Sequence, residues 1–298
     1  MKEHFILSNY LKVSKTFIIY ESLFSKMSLK HSYSPIEIST KDKSEVTEDE
    51  LLILTEFILA FKVNHNATSI VISNPFKQIM TRFCDVLDVS AKQMNSVNLV
   101  VKKGELLVGL NMDGEAFLAG QKATVNFNFQ KKVILLLGCG GVSTAVAFKL
   151  AQAGVKAIHL FDINSKRTNL LARRLRLYFP VLPVIELPKL DNSAISRVDV
   201  VYNGTGVGKK SDDQNSVNES PVPSSIHIPK NIFAIDANYT PWKTKFFQQF
   251  EQSGARTTNG FSHMIAFTAL HLSEILAVEV PISKVMEVGE DIMLNESC

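Results

Sequence analysis

Val133-Ile-Leu-Leu-Leu-Gly138-Cys-Gly140-Gly141-Val-Ser143-Thr-Ala-Val146 is the stretch from which this chain is best read. An apolar run of strand type meets clustered glycines, and a helical pattern follows. Glycine lets the backbone turn sharply and leaves no side chain between the chain and a pyrophosphate. The N–H groups that open the next helix then face that anion. Apolar Val142, Val146 and Leu150 predict a helix from about Gly140 to Ala153, with Gly154 as its C′ residue. The next apolar run, Ala157–Phe161, ends at Asp162, which lies 24 residues past Gly138. A carboxylate there accepts a hydrogen bond from a ribose 2′-hydroxyl and repels a 2′-phosphate. The reading is a bound dinucleotide, NAD rather than NADP. The spacing is G-x-G-G-x-S, with Ser143 where a third glycine usually stands. A plain strand-to-helix turn is the competing reading, with Asp162, Asn164 or Ser165 as the cap of the following helix.

Further strands are predicted around this unit at Val184–Leu187, Asp199–Tyr202 and Ile232–Asp236, with helices between the first three strands of the set. Upstream, strands are predicted at His4–Ser8, Tyr33–Ile38 and Thr68–Ser73. Helices are predicted at Thr16–Lys30, Leu51–Val63 and Phe76–Leu87, the second opened by a Thr47-Glu-Asp-Glu50 capping box. Val97–Val101 and Leu106–Leu110 read as a hairpin around Gly104. Polar Lys209–Ser225 reads as an exposed loop, and a last long helix runs from about Gly260 to Ala277. Alternating strands and helices argue for a parallel sheet in each half. The fold class is α/β, with an N-terminal α/β substrate domain (1–113, completed by 260–298) and a doubly wound dinucleotide-binding domain (114–259). The C-terminal helices return to the first domain. Ligands of such sheets lie beyond the carboxyl ends of the strands, which puts the expected chemistry in the cleft between the domains.

The 298 residues are 46% hydrophobic and 20% charged, ample for packed cores. A net charge of +3, evenly spread, gives no argument for nucleic acid. The basic cluster Arg167, Arg173 and Arg174 reads as the solvated face of a helix. Three scattered cysteines exclude a disulfide framework or a zinc site, so no metal is expected. Cys139, inside the glycine turn, is read as a small reduced residue and not a nucleophile. No apolar run reaches membrane-spanning length and no signal-peptide pattern is seen, so the expected location is cytoplasmic.

Lys77 follows Ser73-Asn-Pro-Phe at one strand end, Asp113 follows Asn111-Met112 at another, and Asn98 opens the hairpin. A carbonyl–carbinol interconversion needs a proton carrier, a partner that orients it, and polar groups for the substrate. A shielded lysine beside an aspartate meets the first two needs. The plain alternatives are a solvated helix-start lysine and a turn aspartate.

Six ordered stretches resemble the shikimate/quinate dehydrogenase family over nearly the whole chain. The family's V-T-x-P-F-K is similar to Ile72–Lys77, its A-V-N-T to Ser96–Leu99, and its G-x-N-T-D-G to Gly109–Gly114. Its G-A-G-G-A-S/A-x-A is similar to Gly138–Ala145, its N-A-T-P-x-G to Asn203–Gly208, and its D-x-x-Y-x-P-x-x-T to Asp236–Thr244. The resemblance implies an NAD(P)-dependent dehydrogenase that interconverts shikimate (or quinate) and its dehydro form. It implies Lys77 and Asp113 as the catalytic pair, and Ser73, Asn98 and Tyr239 at the substrate. Ser14 and Thr16 stand for the family's S-x-S carboxylate clamp, in preference to the similar-looking His31-Ser-Tyr-Ser-Pro35. It places the cofactor on Gly138, Gly140, Gly141, Val142, Ser143, Asp162, Asn164, Asn203, Thr205 and Gly260. The family's N-R-T is Asp162-Ile-Asn164 here, which again favours NAD. The family's substrate-binding Gln is Phe267, and the adjacent Thr268 is left to supply a hydroxyl. Losing such a contact costs about 1–3 kcal/mol, so a paralogue acting on another polyhydroxy acid stays open, as does a nucleotide-binding protein without turnover. The expected partner is a small-molecule substrate, with the chain a monomer or homodimer.

Overall fold

A computed structural model describes residues 1–9, 16–40, 46–209 and 217–295. The chain forms two compact units, Met1–Ala116 with Ile265–Cys298, and Phe117–Met264.

In chain order the first unit contains β1 (Lys2–Ser8), α1 (Thr16–Lys26), β2 (His31–Glu37), α2 (Glu48–Val63), β3 (Ala67–Ile72), α3 (Phe76–Ile79), β4 (Val86–Leu87), α4 (Val89–Met94), β5 (Leu99–Lys103) and β6 (Leu106–Leu110). Its sheet has the order β2-β1-β3-β5-β6-β4. The sheet is mixed, so the expected parallel sheet holds only for its β1, β2 and β3 part, while the expected hairpin supplies antiparallel pairing. β1 runs parallel to β2 and β3, whereas β5 is antiparallel to both β3 and β6. Gly104, at φ +62°, makes the tight turn of the β5–β6 hairpin, and a hairpin is antiparallel by construction. The capping box forms as read: Thr47 Oγ1 accepts from Glu50 N, and Glu50 Oε2 accepts from Thr47 N. The expected helix over 76–87 breaks after a turn of 3-10 helix at Met80–Arg82. Asp85 exchanges bonds with Leu107 through both its backbone N–H and its carboxylate, which draws Val86 and Leu87 into the sheet beside β6. Leu54, Ile58 and Phe61 of α2 cover one face of this sheet, against Leu7, Ile70, Ile72 and Val100.

The chain passes into the second unit within α5 (Asp113–Val125), continues through β7 (Val133–Leu137), α6 (Gly141–Gln152), β8 (Ala157–Phe161), α7 (Ser165–Tyr178), β9 (Val184–Glu186), α8 (Asn192–Ser196), β10 (Val200–Asn203), β11 (Phe233–Asp236), α9 (Lys245–Gln252) and β12 (Arg256–Thr258), and returns to the first unit within α10 (Phe261–Leu276), most of which belongs to that first unit. The last helix, α11 (Ile282–Asn295), belongs to the first unit. The second sheet has the order β12-β11-β10-β7-β8-β9 and is parallel throughout. The Val133–Leu137 run is buried because helices cover both faces of such a sheet. The strand order reverses between β7 and β10, so the glycine turn after β7 lies at the switch point where ligands of these sheets bind. The expected polar loop over 209–225 is only partly exposed. Residues 210–216 lie outside the described residues, but Val222 is buried and packs with Ile226 and Ile228 on the core under β10 and β11.

Candidate active site

In the first unit, four short backbone links bring the sequence-predicted residues together. Val97 N donates to Lys77 O, Ile72 N to Asn98 O, Asn98 N to Leu110 O, and Ser73 N to Leu7 O. These bonds join the carboxyl ends of β3 and β6 to the start of β5. Lys77, in the single turn of α3, and Asp113, at the first position of α5, then meet: Lys77 Nζ donates to Asp113 Oδ2 at 2.7 Å. The two side chains are 12% and 10% exposed, so the ion pair is shielded yet open on one side. Asn111 holds the turn beside it. Its Nδ2 donates to Ser96 O, and its Oδ1 accepts from Asp113 N. Asn98 is 1% exposed, and its Oδ1 accepts from Met112 N. Its Nδ2 is buried and has no hydrogen-bond partner among the described residues. A buried donor without an acceptor costs free energy, which a ligand oxygen would recover.

The other expected substrate residues are placed less uniformly. Thr16 is the half-buried first residue of α1, and Ser73 is half-buried directly after β3. Ser14 lies outside the described residues. Thr268 is fully buried, and its hydroxyl interacts with the Tyr20 phenol, so it faces the interior and not a ligand. Tyr239, in the second unit, is half-buried, its ring 6.4 Å from that of Phe261.

One polar cluster of the first unit was not read from the sequence. Tyr20 OH lies 2.5 Å from His271 Nδ1, and His271 Nε2 lies 2.9 Å from Ser69 Oγ. Ser69 Oγ is 2.8 Å from His4 Nδ1, and His4 Nε2 is 3.0 Å from His31 Nδ1. Burial holds His4 down to about 3 and His271 well below the usual imidazole range, so both are neutral. Nothing in sequence spacing links residues up to 251 positions apart.

In the second unit, the glycine turn folds as read. Gly138 has φ +85°, and a Cβ there would come within 2.9 Å of Thr205 N. Helix α6 has Gly140 as its N-cap with no side-chain cap, which leaves the N–H groups of its first turn (Gly141, Val142, Ser143) to an outside acceptor. A Cβ at Gly140 or Gly141 would meet nothing within 4 Å, so the space before that turn is open. Ser143 is buried, its Oγ without a partner, and it lies against Gly204. Asn203 Oδ1 accepts from Thr205 N and from Thr205 Oγ1. These features suit a dinucleotide phosphate. At Gly260 a Cβ would meet Ala237 O at 2.0 Å, so the absence of a side chain there serves close packing. Cys139 is inert as read, its thiol pushed up to about 12 by burial. Among the described residues no group of three or more His, Cys, Asp or Glu is placed to hold a metal. No helix among them is long and apolar enough to cross a membrane.

Asp162 does not stand free at the end of β8. Its Oδ2 accepts from Cys139 N and its Oδ1 from Asn164 N, each at 2.8 Å. Asn164 in turn caps α7 through Lys166 N. The carboxylate pins the glycine turn to the next strand, and both its oxygens are already engaged by backbone.

No protein-family model matches the chain. Among curated proteins, shikimate dehydrogenase (NADP(+)) of Streptococcus suis strain 05ZYH33 is 30% identical over 260 residues, covering 81% of this chain and 85% of the relative. The enzyme of the same name from Alkaliphilus oremlandii is 27% identical over 281 residues, 93% of this chain and 92% of its own. Among solved structures, a shikimate dehydrogenase in complex with NADP+ superimposes with a TM-score of 0.83 over 97% of this chain and 95% of that one, at 20% identity. That likeness shows the fold. The curated relatives are named for NADP(+), which overturns the expectation of NAD; Asp162, on which that expectation rested, braces the glycine turn through Cys139 N and Asn164 N. With the ordered motifs, the two sheets and the Lys77–Asp113 pair in place, the chain belongs to the shikimate dehydrogenase family.

Proposed function

We propose that this chain is an NADP-dependent dehydrogenase of shikimate, interconverting shikimate and 3-dehydroshikimate. The Lys77–Asp113 ion pair beside the unpartnered Asn98 amide carries the reading. In the first unit, Thr16, Ser73 and Asn98 hold the substrate's carboxylate and hydroxyls. In the oxidative direction, Lys77 as the free amine takes the proton from the reacting hydroxyl oxygen, and the Asp113 carboxylate stabilises the ammonium that results. In reduction the Lys77 ammonium returns that proton to the carbonyl oxygen, while Asp113 keeps the Nζ from rotating away. The shielding of the pair strengthens this electrostatic coupling relative to water.

NADP, when bound, supplies the hydride acceptor, and NADPH the donor. In the second unit the open turn at Gly138–Gly141 and the uncapped N–H groups of Val142 and Ser143 hold its pyrophosphate. Lys166 and Arg167, exposed in the first turn of α7, supply positive charge for its 2′-phosphate. Asn203 and Thr205 line the same end of the sheet. The first unit acts as the substrate domain and the second as the cofactor domain.

The test is the rate of NADP(+) reduction with shikimate, with quinate and with other ring hydroxy acids. The proposal expects shikimate to give the highest kcat/KM. A different hydroxy acid giving the highest kcat/KM, by tenfold or more, overturns the substrate assignment while leaving the fold and pair untouched.

A further inference from the structure

Asp236, the last residue of β11, is fully buried, and it takes no part in the chemistry above. Three neutral donors converge on its carboxylate. Oδ1 accepts from Asn203 Nδ2 at 3.1 Å and from Asn238 N at 2.9 Å. Oδ2 accepts from the hydroxyl of Thr244, which also caps α9 by accepting from Phe247 N. Among the described residues no charged side chain contributes to its environment. The groups facing it from β10, from the loop after β11 and from the start of α9 are Asn203, Asn238 and Thr244.

Those donors are not independent. Asn203 orders Thr205, Thr205 Oγ1 accepts from Val207 N, and Asn238 Nδ2 donates to Val207 O. The loops after β10 and β11 are therefore tied together through one carboxylate. The first of these loops lies directly against the glycine turn: Gly138 has no room for a Cβ beside Thr205 N, and Ser143 abuts Gly204.

We propose that Asp236 is a positioning residue for the dinucleotide site, its ionised carboxylate fixing the Asn203–Val207 and Asn238–Thr244 loops that back the Gly138–Ser143 turn. This rests on the reading that the second unit holds NADP(H). Burial pushes the Asp236 carboxyl up to about 6, so it is charged at neutral pH at a cost to the fold. A residue there for packing alone would be better neutral. An anion binds three donors about twice as strongly as a neutral acceptor does. The charge thus trades stability for a fixed loop geometry.

The experiment measures NADPH dissociation constants by cofactor fluorescence, from pH 5 to pH 7.5, for the wild type and Asp236→Asn, with melting temperatures alongside. The 2′-phosphate titrates identically in both proteins and cancels in their ratio. At pH 7.5 the variant is expected to bind about tenfold more weakly and to melt no lower than the wild type. By pH 5 the wild-type carboxyl is protonated and the ratio falls toward one. A ratio near one at every pH overturns the proposal, and so does a weakened variant whose ratio ignores pH. A wild type that binds no NADPH at any pH instead sinks the cofactor reading. Should Asp236→Asn fail to fold, Thr244→Val removes one donor and Thr244→Ser restores it. Weaker NADPH binding in the first and recovery in the second support the proposal, and equal binding in all three contradicts it.

Discussion

Lys77 and Asp113 are 36 residues apart in sequence and meet at 2.7 Å because each follows a strand end of the same sheet. If Lys77 carries the proton, Lys77→Met should lower kcat about 100- to 10,000-fold with little change in KM for shikimate, and Asp113→Asn should do so to a lesser degree. Steady-state kinetics in both directions read this directly. Asn98→Ala should act instead on binding. Losing a buried donor to a substrate hydroxyl costs about 1–3 kcal/mol, so KM should rise roughly 5- to 100-fold. Unchanged KM in that variant would remove Asn98 from the substrate. The placement of these three residues was legible in the sequence because each stands next to a strand end in a motif of fixed order. Asp162 was misread for a physical reason. Its position after β8 fits a ribose contact, but position does not reveal that each oxygen also accepts a backbone N–H and so ties the glycine turn to β8. Thr268 was misread similarly: being one residue from Phe267 on a helix turns it about 100° away, into the interior beside Tyr20.

Among the elements, the β7–α6 turn is the one whose geometry was most fully legible. Gly138 needs φ > 0 and touches the Thr205 backbone, so any side chain there is strained twice. Gly138→Ala is expected to weaken NADPH binding about tenfold or more, from about 1–2 kcal/mol of left-handed strain, while shikimate-side residues keep their geometry. Fluorescence titration checks it; wild-type affinity would mean the turn tolerates a Cβ. The β4 segment was not legible, because Val86 and Leu87 fit a helix pattern as well as a strand. Pairing with β6 and the bonds of Asp85 decided between them, and both are tertiary. The Tyr20–His271–Ser69–His4 chain joins α1, α10, β3 and β1 in the same tertiary way. Ser69→Ala would leave two buried imidazole nitrogens unpaired and should destabilise the protein by about 2–3 kcal/mol in urea unfolding. A change under about 0.5 kcal/mol would show that the chain carries no stability.

For the whole molecule, pH sets two buried terms against each other. The folded pKa values of His4 and His271 are depressed, so their contribution is intact above the unfolded value of 6.5 and is lost as pH falls below it. The folded pKa of Asp236 is raised from 3.8 to about 6, so keeping it ionised costs about 3 kcal/mol above pH 6. That cost is relieved as pH falls through 6. At pH 5 His4 alone subtracts about 2 kcal/mol and His271 acts in the same direction, whereas Asp236 returns about 1, so the histidines prevail. The melting temperature should therefore drop between pH 7 and pH 5. A His271→Phe variant should drop less, and an identical pH dependence in that variant would contradict the assignment. The parallel sheet of the second unit was legible because continuous apolar runs alternate with amphipathic helices. The mixed sheet of the first was legible only in part: the hairpin reading makes β5 and β6 antiparallel, but the antiparallel pairing of β5 with β3 is set by tertiary partners and not by local pattern.

The most direct measurement compares Lys77→Met with the wild type in NADP(+) reduction by shikimate, with NADPH binding followed in parallel. The account predicts a rate at least 100-fold lower in the variant and unchanged NADPH affinity. A variant that keeps most of the wild-type rate would contradict the assignment of proton transfer to Lys77, and with it the catalytic reading of the ion pair.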